Sequence, residues 1–166
     1  LRGGELRYSD QKQMGQLYLT RDPARVPDFA GLGPEPFALG LEEFRQRLKR
    51  FRGEIKGVLT RGEFVAGIGN AYADEILWAA RLHPFRKSGQ MSAGEVECLH
   101  QIMQTTLMEA VGKVRVEMQE HIERKPRDFL MVHMRTGEPC PRCGTLISLV
   151  SANQRITNFC RTCQPG

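Results

Sequence analysis

The chain has 166 residues, 40% of them apolar and 26% charged, with a net charge of +5 and a pI near 9.1. This is the composition of a globular domain and excludes a disordered or fibrous chain. No run of about 18 apolar residues is present, which excludes a membrane-spanning helix. The first residues, Leu1 to Glu5, are polar and lack the apolar stretch of a signal peptide. Because the sequence starts at Leu1 rather than at methionine, a fragment or a processed product is expected.

In chain order, Glu5–Ser9 and Gln16–Thr20 alternate apolar and polar residues around the polar turn 10–15. They predict two short strands, which alone bury too little to be stable in water. From Arg21 to Gly40 four prolines and three glycines predict an irregular linker. At Leu41 the period becomes helical: Leu41, Phe44, Leu48 and Phe51 share one face. A short second helix is expected over 53–61, and a third begins near Asn70 after the glycine-rich 62–69. His83-Pro84 stops it, since a residue before proline is driven out of the helical region. Ser92 and Glu95 have the spacing of a capping box. The helix they open carries Val96, Leu99, Met103, Leu107, Ala110 and Val114 on one stripe. A polar stretch from about 115 to 127 follows.

The charge is unevenly spread. Seven basic residues lie between Arg45 and Arg61 against the single acid Glu54, and four arginines follow from Arg135 onward against Glu138 alone. Two such clusters suit contact with a phosphate backbone. Against this, a modest basic excess is also common in proteins with no polyanionic partner.

The strongest motif is at the C-terminal end. Cys140-Pro-Arg-Cys143 and Cys160-Arg-Thr-Cys163 are two C-x-x-C pairs sixteen residues apart. Each pair sets two sulfurs on a tight turn, as two corners of a zinc tetrahedron require. The segment between them predicts a hairpin, with strands over 145–150 and 157–159. Disulfides would need an oxidising compartment, for which no export signal is seen. Four protein ligands close the site, so one structural Zn²⁺ is expected and no metal-activated water. Cys98 is expected to be a packed thiol. His83, His100, His121 and His133 lack metal-ligand spacing and read as packing or surface residues, and Trp78 reads as core.

The run Gly67-Ile-Gly-Asn70-Ala-Tyr-Ala-Asp-Glu75, then His83-Pro84, then the four-cysteine ribbon with Gln154-Arg155 in its hairpin resemble the formamidopyrimidine-DNA glycosylase/endonuclease VIII family. The resemblance implies a mainly α fold: a helix–two-turn–helix bundle with a C-terminal zinc-ribbon β-hairpin and the remnant of an N-terminal β-sandwich. It divides the chain into 1–22 (sandwich remnant), 23–40 (linker), 41–134 (DNA-binding helices) and 135–166 (zinc finger). It implies repair of oxidised bases by a DNA glycosylase and AP lyase, with duplex DNA carrying oxidised bases or abasic sites as partner. A monomer is expected, acting at the nucleoid of a bacterial cytoplasm.

The resemblance makes Asn70 and Lys56 phosphate contacts, Arg155 the ribbon residue that clamps phosphates beside the lesion, and Lys12 and Met14 the cation and wedge of a void-filling loop. Physical chemistry agrees at the glycines: Gly67 and Gly69 let a phosphate approach the backbone, and the helix opened by Asn70 favours an anion. Bland readings stay open, with Asn70 a cap and Lys56 a solvated face. Glu75 reads as a fold-stabilising residue. The family's nucleophile is an N-terminal proline followed by glutamate, whereas here no proline precedes Pro23. This chain alone is therefore expected to lack glycosylase and lyase activity. The competing reading is a non-catalytic zinc-ribbon module that binds nucleic acid.

Overall fold

The computed structural model describes residues 3–4, 6, 8, 10, 15–27, 29–118, 126–152 and 155–166. Four α-helices and one hairpin follow in order: α1 Leu41–Arg50, α2 Ile55–Leu59, α3 Asn70–Ala79, α4 Ala93–Met118, β1 Ser148–Ala152 and β2 Arg155–Phe159.

Each helix forms where its sequence provides a start and an apolar face. The α1 helix has Glu42 and Glu43 in its first turn and Arg47, Lys49 and Arg50 in its last, which matches charge to the helix dipole. It buries Phe44 and Leu48. Phe44 meets the Phe64 ring edge-on at 5.3 Å, and Phe51 meets Phe64 at 5.5 Å. At the start of α4 the capping box closes as expected: Ser92 N–H donates to Glu95 at 2.7 Å, and Glu95 N–H donates to Ser92 Oγ at 3.2 Å. The helix then continues through Arg115 to Met118, past the point where the sequence predicts a polar stretch. Cys98 differs from expectation, being exposed. It sits two residues after buried Val96, about 200° around the helix, and so faces solvent.

The proline-rich segment has two characters. Pro23–Arg25 is a single 3-10 turn capped by Asp22, with nothing buried. Residues 33–39, read above as linker, are stitched into the helices. Gly33 N–H donates to Gly62 O at 2.8 Å, and Ala66 N–H donates to Pro34 O at 3.0 Å. Gln104 donates to Pro36 O and Leu39 O, and the His100 ring meets Leu39 O at 2.7 Å. Gly33 has no room for a side chain, since a Cβ would lie 2.7 Å from the carbonyl oxygens of Glu63 and Phe64.

Among the described residues no strand precedes β1. Gln16–Thr20, predicted as a strand, is unpaired, with Leu17 and Leu19 in solvent. A strand needs a partner for its backbone, and the described chain offers none there. The Glu5–Ser9 expectation falls partly outside the described residues. In the ribbon the strands pair antiparallel from Ser148↔Phe159 to Ala152↔Arg155. The ladder therefore runs nearer the tip than predicted and leaves a two-residue connection.

Two hydrophobic cores result. One, among the helices, is built from Phe44, Ile55, Leu59, Phe64, Ile76, Leu99, Met103 and their neighbours. The other is small: Val132, Ile147, Cys140 and Cys160, with Trp78 and Cys163 packed against it. The helix α3 borders both.

Candidate metal centre and nucleic-acid interface

The four cysteine sulfurs lie within 4.8 Å of one another. Cys140 and Cys163 are 3.9 Å apart, and Cys143 and Cys160 are 3.4 Å apart. A tetrahedron with Zn–S bonds of about 2.3 Å has sulfurs roughly 3.8 Å apart, so the donor set fits one zinc ion. The two C-x-x-C turns are built alike. Gly144 N–H returns to Cys140 O at 2.8 Å, and Gln164 N–H returns to Cys160 O at 2.9 Å. Gly144 takes φ +76° to make the first turn, a conformation that favours glycine. Gln164 anchors the second: fully buried, it accepts from Cys160 N–H and donates to Leu82 O at 2.8 Å.

The thiols are not alike in acidity. Hydrogen bonds with Thr145 bring Cys143 down to about 6, while desolvation and the neighbouring sulfurs push Cys163 up to about 12. Burial pushes Cys160 up as well, and since zinc takes thiolates, its charge would offset what holds these two sulfurs protonated.

One face of α3 holds the ribbon. Asn70, Asp74 and Trp78 are four residues apart, one stripe of the helix. Asn70 donates from Nδ2 to Ile156 O at 2.7 Å. Buried Asp74 pairs with Lys56 Nζ at 2.6 Å and with His133 Nδ1 at 2.8 Å, and accepts from Asn158 N–H at 3.3 Å. Trp78 donates its indole N–H to Cys140 Sγ at 3.4 Å. Beside the stripe, the buried Glu75 carboxylate accepts three backbone N–H groups, from Met131, Val132 and His133, at 2.8–2.9 Å. It fixes the segment that leads into the first cysteine turn, which agrees with the fold-stabilising reading.

The predicted site residues separate into groups. Gly67, Gly69 and Asn70 come together at the N-terminus of α3: Gly67 has φ +79°, Gly69 is the N-cap, and both are exposed. Asn70 follows the cap, and its side chain spans to the hairpin. The first N–H groups of a helix have no partner within it, so this end presents donors outward. Beside it opens a cleft of about 600 Å³ lined by Gly67, Gly69, Asn70, Tyr72, Arg127 and His133.

Lys56, expected at a phosphate, is buried at 5% exposure. Its ammonium lies on Asp74, on Ile156 O at 2.6 Å and on Thr157 Oγ1 at 2.9 Å. A buried ammonium needs a countercharge and acceptors, and this site supplies them. Arg155 opens β2, opposite Ala152 and next to the Ile156 carbonyl that both Lys56 and Asn70 grip. Lys12 and Met14 lie outside the described residues. The basic cluster after Arg45 is also partly spent: Arg47 donates to the carbonyls of Glu63 and Phe64, and Arg45 pairs with Glu97 at 3.2 Å.

Sequence reasoning missed three residues. Asp74 and His133 form the buried hub with Lys56; an acid one helical turn after Asn70 was the available signal for it. Trp78, read as core, packs on the metal cluster instead.

Bundle and ribbon together define a helical module with a four-cysteine zinc site joined through one helix. Residues 32–120 match the model of the formamidopyrimidine-DNA glycosylase H2TH domain, and residues 137–166 match that of the zinc finger found in formamidopyrimidine-DNA glycosylase and isoleucyl-tRNA synthetase. A formamidopyrimidine-DNA glycosylase of Symbiobacterium thermophilum is 41% identical over 98% of this chain and 56% of its own length. An uncharacterised formamidopyrimidine-DNA glycosylase-like protein of Mycobacterium tuberculosis is 37% identical over 86% of this chain and 90% of its own. The crystal structure of the Thermus thermophilus MutM (Fpg) protein superposes with a TM-score of 0.77, at 31% identity, over 93% of this chain and 62% of that one. The Lactococcus lactis enzyme, solved non-covalently bound to DNA containing an AP site, has a TM-score of 0.71 at 33% identity, covering 86% of this chain and 54% of that one.

The chain belongs to the formamidopyrimidine-DNA glycosylase family. It spans little more than half the length of the first of these relatives. Among the described residues no helix is long and apolar enough to cross a membrane.

Proposed function

We propose that this chain is the DNA-gripping part of a base-excision-repair glycosylase and AP lyase that acts on oxidised bases. The observation that carries the reading is the shared hold of Asn70 and Lys56 on the Ile156 carbonyl. It ties the exposed helix N-terminus to the strand that begins with Arg155. A phosphate at Gly67–Asn70 would meet backbone donors and the second N–H of the Asn70 amide. A neighbouring phosphate would meet the Arg155 guanidinium. Lys56 serves this grip from inside: it fixes the hairpin rather than touching DNA. The divisions drawn from the sequence serve the same reading, with helices up to 134 and a zinc finger from 135, although 33–39 work with the helices. Lys12 and Met14 would probe the duplex. Monomeric action on bacterial nucleoid DNA completes the proposal.

The polypeptide by itself is expected to bind damaged duplex without cleaving it, and borohydride is expected to trap no adduct. The alternative reading is a non-catalytic zinc-ribbon module that binds nucleic acid.

Titration of the zinc-loaded chain into a duplex with a stable abasic-site analogue, and into the undamaged duplex, at two salt concentrations, separates the two. Tighter, salt-dependent binding to the abasic duplex is expected. Equal binding to both would favour the generic module, and no binding to either would overturn both readings. Arg155→Ala should weaken binding and reduce the salt slope by about one. An unchanged slope would remove Arg155 from the interface.

A further inference from the structure

The zinc site has a neighbour that is not one of its ligands. Trp78 is the only tryptophan of the chain and stands in the last turn of α3. Its ring packs on the cysteine cluster, and its indole N–H lies 3.4 Å from Cys140 Sγ. Two contacts hold the ring in this pose. The Arg142 guanidinium lies 4.1 Å from the ring centroid, and Arg142 Nη1 donates to Trp78 O at 3.0 Å. Arg142 is itself inside the first C-x-x-C turn, so turn and indole clasp each other. An indole N–H is a donor only. The acceptor it meets at Cys140 would be a thiolate when zinc is bound, and a hydrogen bond to an ionised acceptor is stronger than one between neutral groups.

We propose that Trp78 is a positioning residue of the zinc site. Its N–H donates to the Cys140 thiolate, orients that sulfur toward the metal and draws off part of its charge, while its ring shields the Zn–S bond from water. Such outer partners of metal ligands typically account for about 10–100-fold in metal affinity. Because Trp78 and Asn70 belong to one stripe of one ten-residue helix, this bond joins the metal to the element whose other end carries the predicted phosphate contact. The sole tryptophan also becomes an internal reporter of metal occupancy.

The test compares the full chain with Trp78→Phe, which keeps an aromatic ring under Arg142 and removes the donor. Three readouts are used: the rate of zinc release to a chelator, the thiolate-to-metal charge-transfer band of the cobalt-substituted protein, and circular dichroism. About tenfold faster zinc release, a displaced charge-transfer band and unchanged helix content are expected. Where Trp78→Phe does not fold, biosynthetic replacement of the one tryptophan by its benzothiophene isostere keeps the bicyclic shape and lacks the N–H. The same displaced band and faster release are expected of it. Faster release with an unmoved band in either N–H-free protein would mean that only packing was lost, and would overturn the proposal. Unchanged release and an unchanged band would overturn it equally. In the unmodified chain, tryptophan fluorescence should change as the chelator removes zinc, and a constant signal would contradict the contact.

Discussion

The helical bundle and the ribbon reach order by different means. The bundle buries a contiguous set of large side chains, with Phe44, Phe64, Ile55, Leu59, Ile76, Leu77, Leu99 and Met103 all 0% exposed. The ribbon's own cluster is small, Ile147 and two of its cysteines with Val132 beside them, and Phe159 is buried nearby. Apolar burial yields about 1.5–3 kcal/mol per large side chain, which sustains the first and is far too little for the second. A metal does for the ribbon what buried side chains do for the bundle. Between them runs a polar seam, Lys56, Asp74, Glu75 and His133, where charge rather than grease makes the joint.

This contrast can be broken at its strongest point first. Cys160→Ser should abolish stoichiometric zinc binding and disorder the ribbon while the helical far-ultraviolet signal is largely kept. The zinc contribution in comparable small sites is about 10–16 kcal/mol. Loss of all helical signal would instead make bundle and ribbon one cooperative unit. Phe44→Ala attacks the other side, emptying a site against Phe64 and His100. It should cost about 3–5 kcal/mol in denaturant unfolding and leave zinc content intact.

Lys56→Met tests the seam. It leaves Asp74 buried with the His133 ring as its remaining side-chain partner and should cost about 3 kcal/mol. The Asn158 amide should exchange faster as the hairpin loosens. A cost below about 1 kcal/mol would mean that the ion pair contributes little beyond its desolvation.

The smallest effect is expected at the capping box. Ser92→Ala should cost about 1 kcal/mol. Glu95 is held below its ordinary carboxylate range by the backbone N–H of Ser92, aided by Arg86. Its contribution is thus fully present above the ordinary range and is lost as pH falls through the depressed folded value. Acid titration of stability should therefore be shallower in Glu95→Gln than in the unmodified chain.

Much of this was legible in the sequence because the signals were local. Two C-x-x-C pairs imply zinc wherever the fold puts them, and the capping box is satisfied within four residues. The stripe from Val96 to Ala110 needed only its own period. What was hidden depended on partners far along the chain. Lys56 looks like one more cation in a basic run, and its burial is decided by Asp74 and by strand atoms about a hundred residues away. Residues 33–39 read as a tether because prolines and glycines dominate, yet Gly33 is there because two carbonyls leave no room for a Cβ. Trp78, read as core, is half-buried, and no periodicity says that it packs on the cysteine cluster. Cys98 failed for the opposite reason, since its position two residues after Val96 sets it on the far face of the helix.

The stripe Asn70, Asp74, Trp78 also bears on how this segment can vary in length. One residue inserted or deleted within it turns everything beyond that point by about 100°. A deletion between Asn70 and Asp74 would swing Asp74 and Trp78 away from the ribbon while Asn70 stayed in place, and one after Asp74 would free the cysteine end alone. Point substitutions remove these contacts singly, whereas a change of length removes them in phase. Length variation among relatives is therefore expected in the turns on either side of α3 and to be absent between residues 70 and 78.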